Sequence, residues 1–536
     1  MQGIILLYGA AFFVVTLGIH LAYFPIGDIG VESDFYGELV VSAKALLAHH
    51  FSVDNYPYKG PFYSFALVFV HLFCRDWYLS GVILNGLCAA ASLIILFRLL
   101  LRMFDRTVAF LTTLAFSLGH EYFTLAHKAS SDMLFVLLSL CAMAFLLEER
   151  YSRRNMILGG ILSACAFLTR YTGVFLPVAM VAMLLVNPGR WPWRRRVDGA
   201  LIYLGVFLAV CAPWLIKSHH ETGSLLATRN VENIVREFYG SARTDDLPEG
   251  GFNSMVQVFM RDPIHFIRHY LFNIPSHFWA DMYRFMGIDT GILVMIGMVR
   301  LIVRPPTRMQ WAFNMFAMSY FLLLCAVFYL PRFSMLLAPA YFAVLFSMLL
   351  GLRDFSQFSK IGRRQEGEER ESGPARAEPG MHARTGVGHI FGALPQTYLG
   401  VVTTALLAVL LWTRIAGIVE AEQFYYERRP LFVLDAARFL KGYAASESSP
   451  GRAMVMARKP HIAYYADLAY AKYPQQFSVL REILSFARGH RIDFLVYSDI
   501  ERSYFGHPEG WNVLATTTGV RVIYSTPSIT IYELIY

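Results

Sequence analysis

The chain has 536 residues, 56% of them hydrophobic and 16% charged, with a formal net charge of +8 and a mean hydropathy of +0.44. That composition is more apolar than a water-soluble core can absorb, so it excludes a soluble globular enzyme and implies a polytopic membrane protein. The positive balance calls for no nucleic acid, because basic loops on one membrane face account for most of it.

A helix crosses the hydrocarbon with about 20 apolar residues, since lipid offers an open backbone no partners. Runs at about 3–25, 77–101, 107–126, 131–148, 156–170, 171–187, 199–217, 284–303, 309–330, 332–352 and 397–417 qualify, eleven in all. The first lacks a small-residue cleavage site and is read as a retained helix. Residues 62–74 are too short to span and predict an interfacial or re-entrant helix. If the N-terminus is cytoplasmic, the inside loops carry Arg102 and Arg106, then Arg150, Arg153 and Arg154, then Arg190 and Arg194 to Arg196, then Arg304 and Arg308. Each is basic, as positive-inside topology requires, provided 156–187 is two short helices broken at Thr169 to Gly173.

The expected architecture is therefore an α-helical membrane core over residues 1–352, with outside loops at 26–76 and 218–283. Residues 353–396 predict a disordered cytoplasmic loop and 397–417 the last transmembrane helix. Residues 418–536 predict a small outside α/β domain, with strands near 452–457, 492–498, 519–525 and 528–535 and helices near 430–444 and 478–489. All six cysteines lie in or beside apolar segments without metal-ligand spacing, which argues against a disulfide framework.

Carboxylates are costly beside a bilayer, so Glu32-Ser33-Asp34, directly after the first apolar run, marks a candidate site. Asp34 and a second outside carboxylate, Asp132, each begin a helix and could equally be helix-terminal residues that satisfy backbone amides. Lys59, Arg170 and Arg332 fall at the same outer surface. Each could be a snorkelling anchor, whereas together they would suit a lipid phosphate, to which Lys and Arg give charge-assisted hydrogen bonds.

Lys59-Gly60-Pro61, Ser131-Asp132, Thr169-Arg-Tyr-Thr-Gly173, Ala212-Pro-Trp214 and Pro331-Arg-Phe-Ser-Met-Leu-Leu-Ala-Pro339 stand in an order and sidedness that resemble the GT-C integral-membrane glycosyltransferases. The resemblance is to the bacterial branch with protein mannosyltransferases, the aminoarabinose lipid A transferase and the Rgt-type galacturonosyltransferases, and it runs through most of residues 1–352. It implies transfer of a sugar from a polyprenyl-phosphate donor to a lipid, glycan or protein acceptor, at the outer face of a bacterial cytoplasmic membrane. By position, Asp34 would be the general base, Asp132 would orient substrate, and Lys59, Arg170 and Arg332 would hold the carrier phosphate. Where the aminoarabinose branch has Glu-Lys-Pro-Pro this chain has Tyr58-Lys59-Gly60-Pro61, so a glutamate that helps hold a metal there is missing. Glu32, His49, His120 and Glu121, with His50 beside His49, are further candidates for substrate or metal contact, which leaves no cofactor certain and a divalent metal open. The alternative is a transporter or flippase for a lipid-linked sugar, which would place its ionisable groups near the membrane midplane.

Overall fold

The computed structural model describes residues 2–148, 150–186, 191–240, 252, 254–303, 306–351, 396–446, 453–474, 480–505, 511 and 513–536. Its first part is a series of apolar helices: Gln2–Tyr23 (α1), Val40–Leu47 (α2), Phe62–Cys74 (α3), Trp77–Leu100 (α4), Arg106–Ser117 (α5), His120–Ala126 (α6), Asp132–Leu146 (α7), Arg153–Thr169 (α8), Phe175–Val186 (α9) and Trp193–Thr222 (α10). Asn230–Tyr239 (α11), Met255–Arg261 (α12), Pro263–Ala280 (α13), Ile288–Val303 (α14), Arg308–Leu324 (α15), Pro331–Gly351 (α16) and Gln396–Glu427 (α17) follow.

By length and composition, helices at Gly3–Tyr23, Trp77–Leu100, Trp193–Thr222, Pro331–Gly351 and from Val401 onward are long and apolar enough to cross a membrane. The chain is a multi-pass membrane protein. α4 and α16 are mostly enclosed by other helices, whereas α1, α10 and α17 turn most of their surface outward, as helices facing lipid do. Small residues let the backbones approach closely where there is no hydrophobic drive to associate: a Cβ on Gly160 of α8 would lie 2.9 Å from the Tyr203 carbonyl of α10.

Three predicted spans differ in detail. The 107–126 run divides into α5 and α6 at Leu118-Gly119, where Gly119 turns to an extended conformation (ψ 126). The 284–303 run begins as a helix only at Ile288, because Asp281–Phe285 form a wide turn and Gly287 has φ +79. The last helix runs on to Glu427, beyond the predicted 417. α3 fills the place expected of a short helix, with Tyr63 and Leu67 buried and Phe65, Phe69, Leu72 and Phe73 turned outward. The expected cytoplasmic loop lies almost wholly outside the described residues.

The C-terminal part contains Phe432–Ser446 (α18), Met454–Ala457 (β1), His461–Ala466 (α19), Ala469–Lys472 (β2), Leu480–Gly489 (α20), Phe494–Ser498 (β3), Asp499–Phe505 (α21), Val520–Thr526 (β4) and Ile529–Leu534 (β5). The sheet order is β2-β1-β3-β5-β4. β1 runs parallel to both β2 and β3, while β5 is antiparallel to β3 and β4. One face packs on α18 and α19 through Val433, Ala437, Leu440 and Ile462, and the other on α20 through Ile483 and Ala487. Four-residue β2 was not predicted, since Ala-Tyr-Ala-Lys is too short and too exposed at the sheet edge to show a pattern.

Candidate active site

The site is built on the turn that follows α1. Glu32 is only 2% exposed, and its carboxylate accepts hydrogen bonds from the Asp28 amide (2.9 Å), the Ala129 amide (2.8 Å) and the Tyr78 hydroxyl (3.0 Å). These bonds tie the loop to α4 and to the segment between α6 and α7. Asp28 in turn pairs with Lys128 at 2.8 Å, and the Tyr425 ring of α17 lies over the Lys128 ammonium. Burial, then repulsion from Asp28, raises the Glu32 pKa to about 7.

Two residues further on, Asp34 behaves differently. It heads the helical segment Phe35–Leu39 but makes no capping hydrogen bond, so its carboxylate is not used by the helix end. Half of its side-chain surface is accessible, and its partner is the Lys59 ammonium at 3.2 Å. Protein on its other sides removes solvation and raises its pKa, but Lys59, Arg332 and Arg170 outweigh this and hold the carboxyl below its ordinary value.

Lys59 reaches this position because Gly60 abuts the end of α8: a Cβ there would lie 2.2 Å from the Leu168 carbonyl. The turn is held from its other side by α11, through Asn230 Nδ2 donating to the Tyr58 carbonyl (2.6 Å) and the Tyr58 hydroxyl donating to Glu232 (3.1 Å). Lys59 also contacts Glu38 at 3.0 Å, and Glu38 accepts the Tyr58 amide at 3.2 Å. Glu38 was not singled out in the sequence. Its signal is the spacing of four from Asp34, which sets both carboxylates on one helix face.

α8 ends at Thr169, and Arg170 is extended (φ −145, ψ 127) before the short turn Tyr171–Val174. This break directs the Arg170 guanidinium to Asp132 at 2.6 Å. Asp132 is the first residue of α7, after the N-cap Ser131, and its carboxylate faces Arg170 rather than open space. Arg170 and Arg332 both approach the Phe333 ring, at 5.6 Å and 5.3 Å to its centroid. Arg332 sits on the first turn of α16, which the Asp281 carboxylate fixes by accepting from Tyr329 (3.1 Å) and Tyr341 (2.8 Å). The buried Arg332 Nε has no hydrogen-bond partner among the described residues.

Asp34, Lys59, Arg170, Arg332 and Asp132 therefore meet in one place, with Glu38 added. The other candidates do not join them. Glu32 turns inward and spends its oxygens on protein donors. His49 is exposed at the end of α2 with φ +60. His120 and Glu121 touch each other at 3.5 Å at the start of α6. Among the described residues no three His, Cys, Asp or Glu side chains converge as a metal site. The C-terminal domain docks on the same loop: His461 Nε2 lies 3.0 Å from the Asp28 carbonyl, and the Tyr465 hydroxyl 3.0 Å from that of Tyr36.

Residues 58–216, which include Lys59, Asp132 and Arg170, match the family model of dolichyl-phosphate-mannose-protein mannosyltransferases. Among solved structures, ArnT from Cupriavidus metallidurans bound to undecaprenyl phosphate is similar with a TM-score of 0.58 at 15% identity, over 99% of this chain and 97% of that one. The archaeal oligosaccharyltransferase AglB from Archaeoglobus fulgidus, in complex with an inhibitory peptide and a dolichol-phosphate, is similar with a TM-score of 0.56 at 13% identity, over 94% of this chain and 70% of that one. Among curated proteins none matches. The fold is the GT-C fold that the sequence resemblance implied, with a small sheet domain at its C-terminal end.

Proposed function

We propose, on the premise that this chain is a membrane glycosyltransferase of the GT-C fold, that it moves a sugar from a polyprenyl-phosphate donor to a lipid, glycan or protein acceptor. The observation that carries this reading is the convergence of Lys59, Arg170 and Arg332 on Asp34. A phosphate leaves an anomeric carbon without general-acid help when its charge is compensated, and three cations at one site contribute to that compensation.

In the proposed step an acceptor hydroxyl oxygen attacks the anomeric carbon. The carbon–oxygen bond to phosphate breaks with its electron pair going to the phosphate, and the hydroxyl proton passes to Asp34. Asp34 is ionised at neutral pH because the cations depress its pKa. As the donor phosphate draws Lys59, Arg170 and Arg332 toward itself, their hold on Asp34 relaxes and its basicity rises when a base is needed. Asp132 has the role of orienting Arg170, to which it is bound. A divalent metal would add further charge compensation, and no step assigned to these residues runs through one.

The cluster sits at helix ends and in loops, rather than within apolar runs, which favours an enzyme over a carrier. The short basic segments near residues 102–106, 150–154 and 194–196 support an opposite, cytoplasmic face, and hence an extracytoplasmic site in a bacterial inner membrane. The test is to supply membranes containing the protein with a panel of radiolabelled polyprenyl-phosphate sugars. Label should move to an acceptor fraction in wild type and not in Asp34→Asn, and label transfer unaffected by that substitution removes the assignment.

A further inference from the structure

The C-terminal domain touches the Asp34 turn through one short loop. Strand β1 ends at Ala457, and Arg458-Lys459-Pro460 lead into α19. Pro460 lies against the next turn of the Asp34 helix, where a Cβ on Gly37 would come 3.3 Å from the proline ring. The Tyr36 ring packs against His461, tilted at a centroid distance of 4.4 Å, and edge-on against Tyr464 at 4.8 Å. The loop is thus pinned on both sides of Tyr36, two residues from Asp34.

The sheet gives a second reason to look here. In the order β2-β1-β3 the chain leaves β1 in one direction and returns past it in the other, and ligands of parallel α/β sheets sit at the carboxyl ends of such strands. Between the ends of β1 and β3 that crevice is taken by the chain's own Glu501, whose carboxylate accepts the Arg458 amide (2.7 Å) and the Ser498 amide (2.9 Å). An internal carboxylate therefore fixes the loop backbone at Arg458, and Lys459 lies between that fixed amide and the proline that meets Gly37 of the Asp34 helix. The charge of Lys459 acts on Asp34 and Asp28, and the residue makes no ion pair among the described residues. Burial and the neighbouring Arg458 lower its pKa from the usual lysine value, with Asp34 pulling the other way.

Charge counting gives this lysine a purpose. Lys59, Arg170 and Arg332 face Asp34, Glu38 and Asp132, so three cations meet three carboxylates and the cluster alone is neutral. An anionic ligand needs an excess of positive charge. We propose that Lys459, carried by the C-terminal domain, completes the site by supplying a positive charge beyond the three that Asp34, Glu38 and Asp132 balance, and that it takes an oxygen of the donor's phosphate. The domain is then part of the donor site and not only a cover over it. This inference rests on the glycosyltransferase reading above.

The experiment uses the full-length protein in nanodiscs, with undecaprenyl phosphate as the binding probe and transfer kinetics alongside. Lys459→Gln should weaken probe binding by about ten-fold, the usual scale for losing one charge-assisted hydrogen bond, while Lys459→Arg stays within about two-fold of wild type. Donor KM should rise in step, with acceptor KM unchanged. Lys44→Gln, which removes the 3.7 Å pair with Asp467 at the same domain boundary, should leave probe binding unchanged. Equal probe binding by wild type and Lys459→Gln, or a rise in acceptor KM alone, overturns the proposal while the enzyme reading stands. A wild type that neither binds the probe nor transfers from any polyprenyl-phosphate sugar overturns both, and the two failures are told apart by wild-type activity.

Discussion

Glu32 and Asp34 lie in one turn, are both carboxylates and were both candidates for chemistry, yet their surroundings differ completely. Glu32 is enclosed and answered by three protein donors. Asp34 keeps half its side chain accessible and has one direct partner, a lysine it shares with Glu38. A buried acid whose oxygens are all satisfied holds structure together, whereas an accessible one with a single direct partner is free to exchange it for a substrate. Net charge and position along the chain do not separate the two; the number of protein donors does.

The largest effect should come from the accessible member. Asp34→Asn should lower transfer by about 10²–10⁴-fold, the usual contribution of a general base, with the purified protein still monodisperse and helical. Transfer within ten-fold of wild type would end the comparison.

Next in size is the Arg170–Asp132 pair, whose side chains are both largely buried. Removing one member of such a pair costs about 3–5 kcal/mol because the other is left uncompensated. Arg170→Ala should therefore lower both the unfolding midpoint and transfer. In the Arg170→Ala, Asp132→Asn double variant, stability should recover in part while transfer does not. Additive losses in both readouts would show that Asp132 has a role apart from Arg170.

Glu32→Gln sharpens the contrast through stability. The folded pKa of Glu32 is raised from 4.5 to about 7, so the folded form binds its proton more tightly than the unfolded chain. Its contribution is complete below about pH 4.5 and is lost as the pH rises through about 7. The Gln variant should lack that decline, giving a flatter curve of unfolding midpoint against pH over this interval. A curve parallel to wild type would show that Glu32 is ionised throughout. The smallest effects belong to the two histidines: His49→Ala and His120→Ala should leave transfer within about two-fold, since substitutions away from a site rarely matter more.

Much of this was legible because lipid imposes a simple grammar. Long apolar runs become helices, and charges at their ends stand out against them, which is why Asp34, Lys59, Asp132, Arg170 and Arg332 could be picked from the sequence. Glu38 was passed over because a glutamate in an amphipathic stretch reads as a solvated face until its lysine is known. Glu32 could not be told from Asp34 in the sequence for the opposite reason: the Tyr78 hydroxyl and Ala129 amide that bind it come from segments 46 and 97 residues away in the chain. Gly119 and Gly287 changed helix limits through local backbone geometry that average hydropathy does not register.

The contact of Gly60 with the Leu168 carbonyl has a practical corollary for anyone handling the protein in detergent. The spacing of Lys59 and Arg170 is set by main chain against main chain, with no flexible side chain to absorb a shift of α8. Mild loosening of that helix should therefore silence the enzyme while circular dichroism still looks intact, so catalytic assays will be a more sensitive gauge of sample quality than helical content.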